Sequence, residues 1–82
     1  MKVAVATDNG MVSAHFGRCS EYTLADIENG KVMKTESVSN PGHEPGFLPG
    51  FLAEKGAKVI ICGGAGPRAQ ALFAEQNIEM CM

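Results

Sequence analysis

Lys58-Val59-Ile60-Ile61-Cys62-Gly63-Gly64-Ala65-Gly66-Pro67-Arg68-Ala69-Gln70-Ala71-Leu72-Phe73-Ala74-Glu75 passes from an apolar run, through a glycine cluster, into a helix-like segment. A short, continuous apolar run is the pattern of a strand covered on both faces of a sheet. Glycines 63, 64 and 66 make the turn. Pro67 suits a first helical position, where its missing N–H would have had no partner anyway. Strand, turn and helix in this order define an α/β protein.

Working outward, Phe47, Leu48, Phe51 and Leu52 recur at spacings of three and four, which predicts an amphipathic helix over Phe47 to Glu54. Pro49 falls in its first turn, and Gly56 suits the position just past its end. The loop Asn40-Pro41-Gly42-His43-Glu44-Pro45-Gly46 precedes it. Further back, Glu21 to Ile27 and Lys31 to Val38 flank Glu28-Asn29-Gly30. Asn-Gly is a hairpin signal because both residues tolerate positive φ, so these strands are antiparallel neighbours. Val3 to Thr7 reads as the first strand, ended by Asp8-Asn9-Gly10. On the other side Asn77 ends the second helix, and Ile78 to Met82 forms a last strand.

The order β-β-β-α-β-α-β is expected to make one domain over residues 1–82. Right-handed crossovers make the fourth strand parallel to the first and give a mixed five-stranded sheet in the order 3-2-1-4-5. Connections leave the first and fourth strands in opposite directions. That is a topological switch point, where α/β sheets bind ligands. Two helices barely cover two faces of such a sheet. The expectation is a chain truncated at its carboxyl end, or another element over the bare face.

Composition narrows the function. The net charge is -2 and the seven Lys and Arg are scattered singly, which argues against nucleic acid, whose phosphates call for a basic patch. No apolar run approaches membrane-spanning length, and no signal peptide is visible. Three cysteines, an odd number, fit a reducing compartment, so the cytoplasm is the expected location. No nucleophile–base pair or carboxylate dyad occurs; Asp8 and Asp26 fall at opposite ends of a strand pair. The protein is therefore not expected to be an enzyme.

The chemistry-bearing residues follow the predicted strands. Ser13-Ala14-His15-Phe16-Gly17-Arg18-Cys19 lies beyond the first strand, His43 beyond the third, and Cys62, Gly64, Gly66 and Arg68 at or beyond the fourth. His15 is either a transition-metal ligand or a loop histidine bonded to backbone. Cys19 is a soft thiolate ligand favoured by neighbouring Arg18, or a half-buried small side chain. His43 is a second metal ligand or a turn residue. Cys62 and Cys81 read as core, since buried free cysteine behaves as a small hydrophobe. No Cys-x-x-Cys spacing supports a structural zinc site or a ferredoxin-type cluster. Gly64-x-Gly66 before a helix is either an anion-friendly backbone cradle, with Arg18 and Arg68 as counter-charges, or a plain tight turn.

At these motifs the chain resembles the dinitrogenase iron-molybdenum cofactor biosynthesis family, which includes NifX-like and NafY-like carriers, the carboxy-terminal domain of NifB and the orange protein of sulfate reducers. The resemblance runs in order through Lys2 to Asp8, His15-Phe16-Gly17-Arg18, Asn40-Pro41-Gly42-His43, Phe51 to Gly56 and Gly63 to Ala69. It implies a ribonuclease-H-like fold and a cofactor-binding role for His15. It also implies a bound metal-sulfur cluster, either iron-molybdenum cofactor-like or a molybdenum-copper sulfide. The expected function is storage, carriage or insertion of that cluster. Its partners would be the donor and acceptor proteins and, through a homodimer, a second copy. The alternative is a regulatory module that binds a small anion or nucleotide at Gly63 to Gly66. A third reading, a structural interaction domain, comes from the uncovered sheet face. Family members usually continue past the last strand with a glycine-containing loop and a helix, so the final helix is expected to be lacking here.

Overall fold

The computed structural model describes residues 1–42 and 47–82; His43 lies outside the described residues. The elements in chain order are β1 (Lys2–Asp8), β2 (Met11–Val12), β3 (Glu21–Glu28), β4 (Lys31–Ser39), α1 (Phe47–Glu54), β5 (Ala57–Ile61), α2 (Pro67–Glu75) and β6 (Glu79–Cys81). Local chemistry explains their limits. Asn29 (φ 53°) and Gly30 (φ 76°) supply the two left-handed positions that a tight hairpin between β3 and β4 needs. Asn77 takes φ 59° where α2 stops.

The strands lie in the order β4-β3-β1-β5-β6, with β2 paired to β1 off that path. β1 is antiparallel to β3 and parallel to β5, so the sheet is mixed. Setting β2 aside, the remaining strands cross the sheet in their chain order 3-2-1-4-5. The expected five strands are therefore six among the described residues. Asn9 (φ 51°) and Gly10 (φ 77°) repeat the hairpin geometry and fold β1 back so that Thr7 faces Val12 and Asp8 faces Met11. The Asn9-Gly10 pair carried that signal in the sequence, but two residues are too few to display strand alternation.

Both helices pack on one face. Ala4 and Ala6 of β1 pair with Leu24 and Tyr22 of β3, and Ala4 also pairs with Ile60 of β5. Paired residues share a face. All five belong to one buried cluster with Leu48 and Leu52 of α1 and Phe73 of α2. The physical reason lies in the topology. The crossovers β4-α1-β5 and β5-α2-β6 step in the same direction across the sheet, so a right-handed path puts both helices on the same side. This corrects the expectation that the β5 run is covered on both faces. Ile60 is fully buried against the helices, whereas Val59 and Ile61, with their side chains on the other face, are only half-buried.

Candidate functional site

Two loops meet at the carboxyl ends of β1 and β5. The first, residues 13–20, follows the β1–β2 hairpin; the second, residues 63–66, joins β5 to α2. Ser13 N–H donates to the Ala6 carbonyl (2.7 Å), Gly63 N–H to the Ser13 carbonyl (2.7 Å) and Phe16 N–H to the Gly64 carbonyl (3.3 Å). The main chains touch so closely that a Cβ on Gly63 would stand 2.7 Å from the Ala14 Cα and 3.0 Å from the Ser13 oxygen. Only glycine fits there.

Side chains from below fix the first loop further. The Phe16 carbonyl accepts from the Tyr22 hydroxyl and from the Cys19 thiol. The Phe16 ring meets Phe73 of α2 edge-on, with centroids 5.5 Å apart. Asn40 donates to the carbonyls of Gly17 and Cys19. Asp8 accepts from the Ser20 N–H at 2.7 Å. Hydrogen bonding to Ser13, more than that to Ser20, holds its carboxyl below the usual Asp range despite partial desolvation. A carboxyl with a depressed native pKa stabilises the fold above its unfolded value and loses that contribution as pH falls through its native value. An NMR titration is therefore expected to place the Asp8 midpoint below the ordinary value of about 3.9, with the loop signals shifting in the same acid range.

Between the loops opens a cleft of about 560 Å³ lined by residues 14–18 and 64–66. That volume suits a small ligand. Most of its wall is glycine, alanine and peptide backbone, with Phe16 as the apolar patch and His15 and Arg18 as exposed polar side chains. Among the described residues no acidic side chain lines it. α2 starts at its edge, capped by Gly66 with no side-chain hydrogen bond and no acidic residue in its first turn. The partial positive charge of a helix N-terminus adds to that of Arg18.

The residues singled out from the sequence divide accordingly. His15, Arg18, Gly64 and Gly66 come together in the cleft. Arg68 is exposed on α2, outside the lining. Cys19 is only 3% exposed, with its thiol turned inward to the Phe16 carbonyl, because the loop closes over Tyr22 and needs a small side chain beneath it. It is the loop's underside, not part of the cleft. Cys62 is equally buried, and burial pushes its thiol pKa up. Cys81 is exposed. A thiol reagent applied to the native protein is thus expected to label Cys81 within minutes while Cys19 and Cys62 react only on unfolding. Peptide mass mapping checks this; rapid labelling of Cys19 would contradict the buried placement. No group of three or more metal-ligating side chains forms among the described residues. Sequence reasoning missed the supporting roles of Tyr22 and Asn40. Tyr22 follows the loop by two residues but reads as an ordinary strand position, and Asn40 is distant in sequence; the pairing of β3 with β1 and β4 brings both against the loop.

These features define an α/β protein with a backbone-walled, electropositive cleft at the carboxyl ends of two adjacent parallel strands. Comparison with known proteins is specific. Residues 1–82 match the family model described as dinitrogenase iron-molybdenum cofactor, and the chain belongs to that family. It is 34% identical over 85 residues to the uncharacterized protein MJ0580 of Methanocaldococcus jannaschii, covering 98% of this chain and 72% of that one. It is also similar to the crystal structure of PH0822, with 38% identity, a TM-score of 0.88, and coverage of 98% of this chain and 76% of that one. The apo form of the orange protein from Desulfovibrio gigas superimposes with a TM-score of 0.81 at 27% identity, over 96% of this chain and 72% of that one.

Proposed function

We propose that the protein binds and carries a metal-sulfur cluster as cargo, in the cleft between residues 14–18 and 64–66. The observation that carries this reading is the joining of His15, Arg18 and the glycine-lined backbone in one cleft whose described lining holds no acidic side chain. Metal-sulfide clusters are polyanions with soft edges. An imidazole supplies one nitrogen ligand, a guanidinium and backbone N–H groups hydrogen-bond sulfide, and the Phe16 ring offers an apolar floor. Cys19 and Cys62 are buried, and Cys81, though exposed, is outside the cleft lining, so protein sulfur contributes little to ligation there. The cargo is therefore held largely by charge and hydrogen bonds, which suits handing it on. Membership of the dinitrogenase cofactor family supports an iron-molybdenum-sulfur cargo; a molybdenum-copper sulfide is the other cargo that the resemblance of the sequence motifs implies.

A carrier needs no turnover, and its expected partners are the proteins that donate and accept the cluster. A second copy of the chain is a further expected partner, since one imidazole leaves much of a large cluster uncovered. A reducing cytoplasm is the compartment such cargo requires. A second reading, a small-anion or nucleotide-binding module, draws support from the uncapped start of α2 beside Gly64 and Gly66.

The two readings separate by absorption spectroscopy. The carrier reading expects protein purified anaerobically from its native host, or incubated with tetrathiomolybdate and copper(I) and then freed of unbound reagent by gel filtration, to show charge-transfer bands in the visible range. Protein that stays colourless under both treatments and binds nucleotide instead would overturn it.

A further inference from the structure

The cleft loop is held from outside by one side chain of another hairpin. Asn40 follows the last residue of β4, and its own N–H donates to the Ser20 carbonyl (3.1 Å). Its carboxamide nitrogen donates twice, to the Gly17 carbonyl (3.1 Å) and to the Cys19 carbonyl (2.9 Å). Those two carbonyls stand on either side of Arg18. The carboxamide oxygen accepts from the Gly42 N–H (2.9 Å). This last bond fixes which way the amide faces, because only an oxygen can accept there, and so both nitrogen donors must turn to the loop. Asn40 itself does not line the cleft.

We propose that Asn40 is a positioning residue: by gripping the main chain before and after Arg18, it aims the Arg18 guanidinium at an anionic ligand in the cleft. The proposal rests on the reading of that cleft as the cargo site, and it adds the device that organises it. Arg18 is exposed and carries a long, flexible stem, so its direction depends on the course of the backbone beneath it. Asn40 suits the task as other residues do not. Aspartate would face two carbonyl oxygens with a third acceptor, alanine would leave both without this partner, and glutamine would place its donors one methylene too far out.

The test is a double-mutant cycle read by the affinity for tetrathiomolybdate, measured by titration calorimetry. Asn40→Ala is expected to weaken binding about ten-fold when Arg18 is present and by less than about two-fold in an Arg18→Gln background. Equal losses in both backgrounds would mean that Asn40 merely supports the fold and would overturn the proposal. So would undiminished binding by Asn40→Ala.

A second measurement needs no ligand. Hydrogen exchange of the Phe16 and Ser20 amides, which flank the gripped segment and donate to the Gly64 carbonyl and the Asp8 carboxylate, is expected to accelerate about ten-fold or more in Asn40→Ala, with the Val5 and Leu24 amides unchanged. Unaltered exchange at Phe16 and Ser20 would overturn the positioning role even if binding fell. If wild-type protein ignores the probe, or Arg18→Gln binds it undiminished, the cargo reading of the cleft fails. The exchange result then still decides whether Asn40 holds the loop. Asn40→Asp, which keeps the size and the acceptor for Gly42, takes the same measurements should Asn40→Ala not fold.

Discussion

Replacing Gly63 with alanine is expected to destabilise the protein by about 1–3 kcal/mol, the usual cost of forcing extra volume into a closed contact, and to abolish binding in the cleft. The added methyl would sit 2.7 Å from the Ala14 Cα and 3.0 Å from the Ser13 oxygen. Both are backbone atoms, so no rotamer change relieves the clash. The loop must lift, and lifting breaks the Gly63–Ser13 and Phe16–Gly64 hydrogen bonds that join the two walls. Gly66 provides the control. A Cβ there meets nothing within 4 Å, so Gly66→Ala is expected to fold with little loss. Urea unfolding reads the difference as a lower midpoint at unchanged slope. Equal stability of Gly63→Ala and wild type would show that the loops do not approach as described.

A larger loss is expected for Phe73→Ala, about 3–5 kcal/mol, because truncating a buried aromatic removes its transfer energy and leaves a cavity. Phe73 is fully buried and links the sheet cluster to the site, since its ring carries the edge of Phe16. A domain of this size has a total stability of about 4–12 kcal/mol, so the variant is expected to sit near its unfolding transition at room temperature. Phe73→Leu keeps most of the volume and is expected to fold, with the Phe16 contact weakened and the cleft loop more mobile. Thermal denaturation followed by circular dichroism ranks the three proteins. A melting temperature for Phe73→Ala within a few degrees of wild type would contradict the core assignment.

Much of the architecture was readable because local signals were strong where the chain needed them. Asn29-Gly30 announced a hairpin, the Phe47-to-Leu52 spacing announced α1, and Pro67 marked the first residue of α2. The failures have definite causes. β2 was missed because two residues carry no period, although Asn9-Gly10 announced the turn. The one-sided helix layer was overlooked because an apolar run such as Val59-Ile60-Ile61 looks the same whether one or both faces are covered. The order of the strands with crossover handedness already implied it.

At the site, the gathering of His15, Arg18, Gly64 and Gly66 followed from the switch-point argument. The direction of individual side chains did not. Cys19 turns inward because Tyr22, six residues beyond Phe16 and on the face packed by the helices, draws the loop down over itself. Arg68 stays on the outside of α2, where helix phase places it. Asn40 acts across the β3–β4 hairpin, a distance in sequence that no local motif records.

For a carrier the decisive property is where the cargo sits. Tetrathiomolybdate titrated into uniformly nitrogen-15-labelled protein, followed by amide chemical shifts, tests that directly. The expected result is saturable shifts concentrated at residues 14–18 and 64–66, lost together when His15 and Arg18 are both replaced by alanine. Shifts centred on the bare sheet face around Val59 and Ile61, or persisting undiminished in that double variant, would contradict the cleft as the binding site.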